Sequence, residues 1–326
     1  MVKRYKIKFK TRIMRDKFGR EIDTLRISVT DRCNFSCLYC SKEFNKIEKE
    51  KILSYEEIIN IVKVFTKLGI KKIKLTGGEP LIRENITYLI KEISNLPEIE
   101  DISLTTNGFF LFENVEKIKE AGIKRINISL DTLDEKKFAR ITGFKHLDRI
   151  KRVVEESCKT FSSVKLNVVI IKNINLNEIE DFLNFARENK MILKFIELMP
   201  VYKNLSFWKE NFVPYKVVKN IIESFVSIFK IEERRIKVYK GENLIVEFVS
   251  PVSEPFCGKC DRLRIDCKGD LFLCLYGKPV LNLKKFNEEI LNLIQFYIFN
   301  REYSFNPFAQ ISVKNYRFPV MNCLGG

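Results

Sequence analysis

The sequence predicts an α/β fold: an open (β/α)6 partial TIM-type barrel over residues 1–200, followed by a smaller α+β unit over residues 201–326. Three observations predict it. Between Leu25 and Met199, short β-rich runs alternate with longer amphipathic ones, which is the rhythm of parallel β/α units. After Pro200 that rhythm breaks. Two groups of closely spaced cysteines then divide between the parts, one early in the alternating region and one in the second unit.

Taken in order, the strand candidates are Leu25 to Val29, Lys72 to Thr76, Ile102 to Thr106, Arg125 to Leu130, Val164 to Ile171 and Leu193 to Leu198. The segment after Ser54 shows why the intervening runs read as helices. Ser54 and Glu57 make a capping box, Ile58, Ile61, Val62, Phe65 and Leu68 recur on one face, and Gly69 supplies the stop. Beyond Pro200, Trp208 to Phe229 reads as largely helical. Short strands follow near Ile236 to Tyr239, Leu244 to Phe248 and Arg262 to Cys267, then a helical stretch from Leu281 to Phe299. In parallel barrels functional side chains collect just past the C-terminal ends of strands. Gly77-Gly78-Glu79, Asn107-Gly108 and the end of Phe195-Ile196-Glu197-Leu198-Met199-Pro200 stand there.

The 326 residues are 45% hydrophobic, enough for one large core or two smaller ones. No segment approaches the ~18 uninterrupted apolar residues of a membrane span, and the basic N-terminus lacks an apolar run of signal-peptide length, so a soluble cytoplasmic protein is expected. Nine cysteines, six of them in two tight groups, fit metal ligation in a reducing compartment better than a disulfide framework. The net charge of +16 reads first as a lysine-rich composition, because the lysines are spread along the chain and many sit at solvent-facing helix positions, next as a site for a polyphosphate substrate, and last as nucleic-acid binding.

Cys33, Cys37 and Cys40, at C-x3-C-x2-C spacing after a strand, supply three thiols. A four-iron cluster wants four ligands, so three protein ligands leave one iron open to a small molecule. Half a zinc site is the alternative. The single histidine, His146, lies in a polar stretch and reads as an ordinary surface residue. In the second group, Cys257 and Cys260 form a C-x2-C knuckle that Cys267, Cys274 or both could complete. Strand alternation turns Leu263, Ile265 and Cys267 toward the core and leaves Cys257, Cys260 and Cys274 as a second three-ligand set. A four-cysteine zinc site remains open. The same alternation puts Arg262 and Arg264 on one face beside that metal, where guanidinium forks match phosphate oxygens.

The first cysteine loop closely resembles the signature of radical S-adenosylmethionine (SAM) enzymes. With Thr76-Gly77-Gly78-Glu79-Pro80, Thr105-Thr106-Asn107-Gly108, Asn127-Ile128-Ser129-Leu130-Asp131, Phe195-Ile196-Glu197-Leu198-Met199, the C-x2-C-x13-C group and the final Gly-Gly, the chain is similar over essentially its full length to the GTP 3',8-cyclases, also called molybdenum cofactor biosynthesis protein A. The resemblance implies a radical SAM core over residues 1–200 and a unit over residues 201–326 that carries an auxiliary cluster and binds GTP. It implies two 4Fe-4S clusters, one on Cys33, Cys37 and Cys40 that binds SAM, and one on Cys257, Cys260 and Cys274 that faces guanine. It further implies SAM contacts at Tyr39, Gly78, Ser129 and Met199, and GTP contacts at Arg26, Lys74, Thr105, Lys165, Arg262 and Arg264. Arg262, Arg264, Gly325 and Gly326 carry the catalytic expectation, the glycines as a tail that enters the cavity. Lys74 departs from the arginine common at that position.

The expected activity is the first step of molybdopterin biosynthesis, conversion of GTP to (8S)-3',8-cyclo-7,8-dihydroguanosine 5'-triphosphate. An electron donor is implied, with cyclic pyranopterin monophosphate synthase taking the product and a homodimer compatible with the pattern. No membrane partner is expected, and nucleic acid is disfavoured. The competing readings are another auxiliary-cluster radical SAM enzyme and a basic zinc-containing nucleic-acid-binding protein. The second leaves the Gly-Gly end and Thr76-Gly77-Gly78-Glu79-Pro80 without a role.

Overall fold

A computed structural model describes residues 14–40, 47–200, 205–225, 227–233, 236–241, 243–284 and 289–303. A two-stranded ribbon, β1 (Met14–Arg15) and β2 (Glu21–Ile22), precedes the main sheet. The alternating region then runs β3 (Thr24–Ser28), α1 (Tyr55–Lys67), β4 (Lys72–Thr76), α2 (Ile86–Ser94), β5 (Asp101–Thr106), α3 (Val115–Glu120) and β6 (Arg125–Ser129). It continues through α4 (Glu135–Thr142), α5 (Leu147–Thr160), β7 (Ser163–Ile170), α6 (Ile179–Glu188) and β8 (Ile192–Glu197). All six expected strands form, and adjacent pairs from β3 to β8 are parallel.

The rest of the chain comprises α7 (Leu205–Asn211), α8 (Tyr215–Phe225), β9 (Ile228–Glu233), β10 (Lys237–Gly241), β11 (Leu244–Val249), β12 (Arg262–Ile265), β13 (Asp270–Phe272), β14 (Leu281–Asn282) and α9 (Glu289–Phe299). Two boundaries differ from expectation. Phe229 lies in β9, not a helix, and Leu281 opens a two-residue strand before α9 begins at Glu289. In both places apolar residues that fit a helical stripe are claimed by an antiparallel neighbour, β10 for β9 and β13 for β14.

Strands from the second part extend the first sheet at both edges. β11 pairs parallel with β8, and β12 pairs parallel with β3. The hydrogen-bonded order is β14-β13-β12-β3-β4-β5-β6-β7-β8-β11-β10-β9, and no ladder among the described residues closes it. α1 forms as the capping box predicts: the Glu57 N–H donates to Ser54 Oγ at 3.1 Å, and the Ser54 N–H donates to Glu57 Oε2 at 2.7 Å. Its stripe is buried with the sheet's outer face.

Strand alternation then sorts the side chains. Leu25, Ile27, Ile73, Leu75, Leu104, Ile126, Ile128, Leu166, Leu193, Phe195, Phe248, Leu263 and Ile265 point to the helices and are buried. The opposite positions are mostly polar, with Val169, Ile196 and Val249 among the exceptions. In register they run Arg264–Arg26–Lys74, Thr105–Asn127–Lys165 and Ser129–Asn167–Lys194–Glu247. A parallel sheet normally buries apolar side chains on both faces. This inner face, lined instead with hydroxyls, amides and cations, is built to hold a polar guest. Among the described residues no helix is long and apolar enough to cross a membrane.

Candidate active site

One cavity gathers the inner face. It is lined from the eight parallel strands by Arg262 and Arg264, Arg26, Lys74, Thr105, Asn127, Asn167, Lys194 and Val249, and from the second cysteine group by Cys257, Cys260 and Cys274. Met199, Arg20, Arg301, Glu302 and Tyr303 complete much of the wall. Cations from several elements outnumber the lining carboxylate, Glu302, so the field inside attracts anions. Arg262 is half-buried and Arg264 is buried, with Arg262 Nε 3.7 Å from Asp261 Oδ1. Asp266 turns away from the arginine face: its Oδ1 accepts the N–H groups of Lys268 and Asp270, both at 2.9 Å.

Five of the six residues expected at GTP line this cavity. Lys165 does not stand among them; its ammonium is salt-bridged to Glu247 Oε1. Lys194 Nζ lies 3.0 Å from Glu247 Oε2. Burial opposes ionisation of Glu247, but Lys194 and Lys165 more than offset it and hold the carboxyl down at about 2. Glu247 therefore fixes two lysines in the inner face. Lys194 and Glu247 are functional-site candidates that motif reading missed. Glu247 interrupts an otherwise apolar strand and Lys194 an apolar run, Ile192 to Ile196, and that was the available signal.

The first cysteine loop lies at the C-terminal ends of β3 and β4. Its backbone is pinned to the end of α4, where the Ser36 and Leu38 N–H groups donate to Thr142 O at 2.8 Å and Ile141 O at 2.9 Å. On its other side it meets the glycine turn. The Gly78 N–H donates to Thr30 O at 2.8 Å and the Glu79 N–H to Arg32 O at 2.7 Å. A β-carbon at Gly78 would sit 2.2 Å from Arg32 O, so only glycine lets the two backbones meet. Buried Glu79 then ties in the next strand end, accepting from Thr106 Oγ1 at 2.8 Å and the Asn107 N–H at 2.7 Å. Burial lifts its carboxyl to about 7 despite those donors.

Burial also pushes the Cys33 thiol up to about 11 and holds the Cys37 thiol well above the usual range. Apolar burial holds thiols protonated, and coordination to a cationic metal centre would reverse it. Among the described residues no three Cys, His, Asp or Glu side chains converge closely enough to hold a single metal ion. Zinc requires that convergence. A four-iron cluster does not, because each thiolate binds a different iron. Each group supplies three thiols, the donor set that a four-iron cluster with one open iron would use. Cys267, expected in the core, is fully buried there, and its carbonyl accepts the Leu53 N–H at 2.8 Å. His146 is exposed, with φ 79 at the entry to α5.

Of the residues expected at SAM, Gly78 packs on the cysteine loop and Met199 lines the cavity. The Tyr39 hydroxyl donates to Asp131 Oδ2 at 2.5 Å, and Asp131 Oδ1 accepts the Val169 N–H at 2.8 Å. Half-buried Ser129 ends β6 two residues before that carboxylate. Gly325 and Gly326 lie outside the described residues.

Comparison with known proteins fits this geometry. Residues 27–186 match the Radical SAM superfamily and residues 191–298 match Molybdenum Cofactor Synthesis C. A GTP 3',8-cyclase of Clostridium perfringens (strain 13 / Type A) is 41% identical over 290 residues, 83% of this chain and 86% of that protein. The chain belongs to the GTP 3',8-cyclase family. Another cyclase of this family, from Listeria monocytogenes serovar 1/2a, is 38% identical over 296 residues, covering 87% of this chain and 88% of its own. Among solved structures, Streptococcus suis SuiB bound to S-adenosylmethionine superposes with a TM-score of 0.65 at 16% identity, over 84% of this chain and 65% of that one. That likeness is one of fold. The cyclase-family chain thus has a radical SAM fold in which the second part adds strands to the first.

Proposed function

We propose that this chain converts GTP to (8S)-3',8-cyclo-7,8-dihydroguanosine 5'-triphosphate, the first step in making the molybdenum cofactor. The observation that carries it is the single basic cavity that joins Arg262, Arg264, Arg26 and Lys74 to Cys257, Cys260 and Cys274. Cys33, Cys37 and Cys40 would hold one 4Fe-4S cluster with SAM, and the second triad another. When bound, the first cluster and SAM would supply, by one-electron cleavage of SAM, a 5'-deoxyadenosyl radical able to take the C3' hydrogen of GTP; forming the C3'–C8 bond then leaves one electron and one proton to be taken up, the electron from a reductant, before the dihydro product is complete.

What the chain contributes is placement. No general base is needed for hydrogen-atom removal, so the protein acts by orienting C3' and excluding water and competing hydrogen donors. The guanidinium forks of Arg262 and Arg264 take the triphosphate, with Arg26 and Lys74 beside them across the β12–β3–β4 register. Glu247 holds Lys165 and Lys194 on the opposite wall. Gly78 allows the close backbone approach that seats the cysteine loop beside β4, and Tyr39, Ser129 and Met199 would take SAM. The parts of the chain divide the work, with residues 1–200 carrying the radical chemistry and residues 201–326 completing the GTP cavity. A cytoplasmic setting, an electron donor and a downstream synthase that takes the product belong to the same reading.

A charge-assisted hydrogen bond contributes about 1.5 to 3 kcal/mol, so Arg262→Ala and Arg264→Ala should each weaken GTP binding by roughly ten- to 150-fold. Equilibrium dialysis with the reconstituted protein measures it. Unchanged affinity in variants that keep their iron would rule out this triphosphate site.

A further inference from the structure

Arg301 follows α9 and is only 3% exposed, although a guanidinium is costly to remove from water. Its Nη2 lies 2.9 Å from Cys260 Sγ, and its Nη1 donates to Cys260 O at 3.4 Å. Among the described residues no salt bridge reaches it. A buried cation needs a counter-charge, and an iron-bound thiolate supplies one where a neutral thiol does not.

Arg20 makes the contrast. It is equally buried, but Asp16 Oδ2 neutralises it at 2.5 Å, and its remaining donors reach only carbonyls: Cys257 O, Tyr303 O and Glu302 O, each at 2.8 Å. Both arginines therefore fasten residues 301–303 to the cysteine knuckle. Of the two, Arg301 is the one whose hydrogen bond reaches sulfur.

We propose that Arg301 is a positioning residue of the second cluster, whose hydrogen bond to the Cys260 sulfur stabilises the reduced cluster and sets its midpoint potential. The proposal rests on the reading of Cys257, Cys260 and Cys274 as cluster ligands. Hydrogen bonds to cluster sulfurs and local charge are established levers on such potentials. Positive charge beside the ligand favours the added electron, so losing Arg301 makes the cluster harder to reduce.

The test is an anaerobic redox titration followed by electron paramagnetic resonance, in full-length protein whose Cys33, Cys37 and Cys40 are alanine so that only the second cluster contributes. This background should bind about four irons. Arg301→Gln should shift its reduction equilibrium about tenfold toward the oxidised form, about 59 mV more negative for one electron. Arg301→Lys, which keeps the charge without the fork, should fall between. Arg20→Gln loosens the same segment but leaves the sulfur contact, and should not move the midpoint. An unmoved midpoint in Arg301→Gln, or an equal shift in Arg20→Gln, overturns the proposal. Should Arg301→Gln bind no iron, the Arg301→Lys midpoint decides, a negative shift supporting the proposal and none overturning it. A background that binds zinc or no iron instead overturns the ligand reading beneath it, and the proposal falls with it.

Discussion

Replacing Cys33, Cys37 and Cys40 together with alanine should abolish formation of 5'-deoxyadenosine from SAM while leaving GTP binding in place. The effect is all-or-none because all three proposed ligands of the first cluster lie in this loop and no other cysteine lies close by in sequence. The fold should survive. The loop is held by backbone hydrogen bonds from Ser36, Leu38, Gly78 and Glu79, none of which uses a thiol. The GTP arginines lie on β12, hydrogen-bonded to the far edge of β3, and the second cysteine triad is untouched. Chromatographic assay of the dithionite-reduced protein reads the outcome. Continued 5'-deoxyadenosine production would mean that these cysteines do not hold the cluster.

Ending the chain at Leu324 should be nearly as severe for the product and silent for SAM cleavage. Gly325 and Gly326 have no β-carbon and reach backbone conformations closed to other residues, which suits a tail threaded into a crowded cavity. The described chain leads that way. Arg301, Glu302 and Tyr303 line the cavity, and Arg20 fastens the carbonyls of Glu302 and Tyr303 beside Cys257. Tyr303, the last described residue of this segment, thus stands in the cavity wall. The shortened chain should keep both clusters and cleave SAM without coupling, yet yield no cyclised nucleotide by mass spectrometry. Full product formation would return Gly325 and Gly326 to an ordinary chain end.

The barrel strands were legible because each is short, β-rich and bounded by an amphipathic helix, and because alternation within β12 correctly separated Leu263 and Ile265 from Arg262 and Arg264. The motif residues at strand ends were legible for the same reason. Contacts between distant parts of the chain were not. Nothing local in Ile245-Val246-Glu247-Phe248 says that Glu247 will meet Lys165, 82 positions earlier, or that Arg20 will reach Cys257, 237 positions later. Nor does a short strand announce its neighbour. β11 and β12 read as parts of a separate unit, and only three-dimensional pairing shows them added to β8 and β3. The basic cavity exists because of that pairing, since it brings the second cysteine triad over the inner face of the first part.

The most direct measurement follows one hydrogen. Reduced, reconstituted protein given SAM and GTP carrying deuterium at C3' should return 5'-deoxyadenosine one mass unit heavier, together with a cyclised triphosphate that has lost that deuterium. 5'-Deoxyadenosine of unchanged mass, with GTP recovered intact, would contradict the assignment of this cavity to GTP cyclisation.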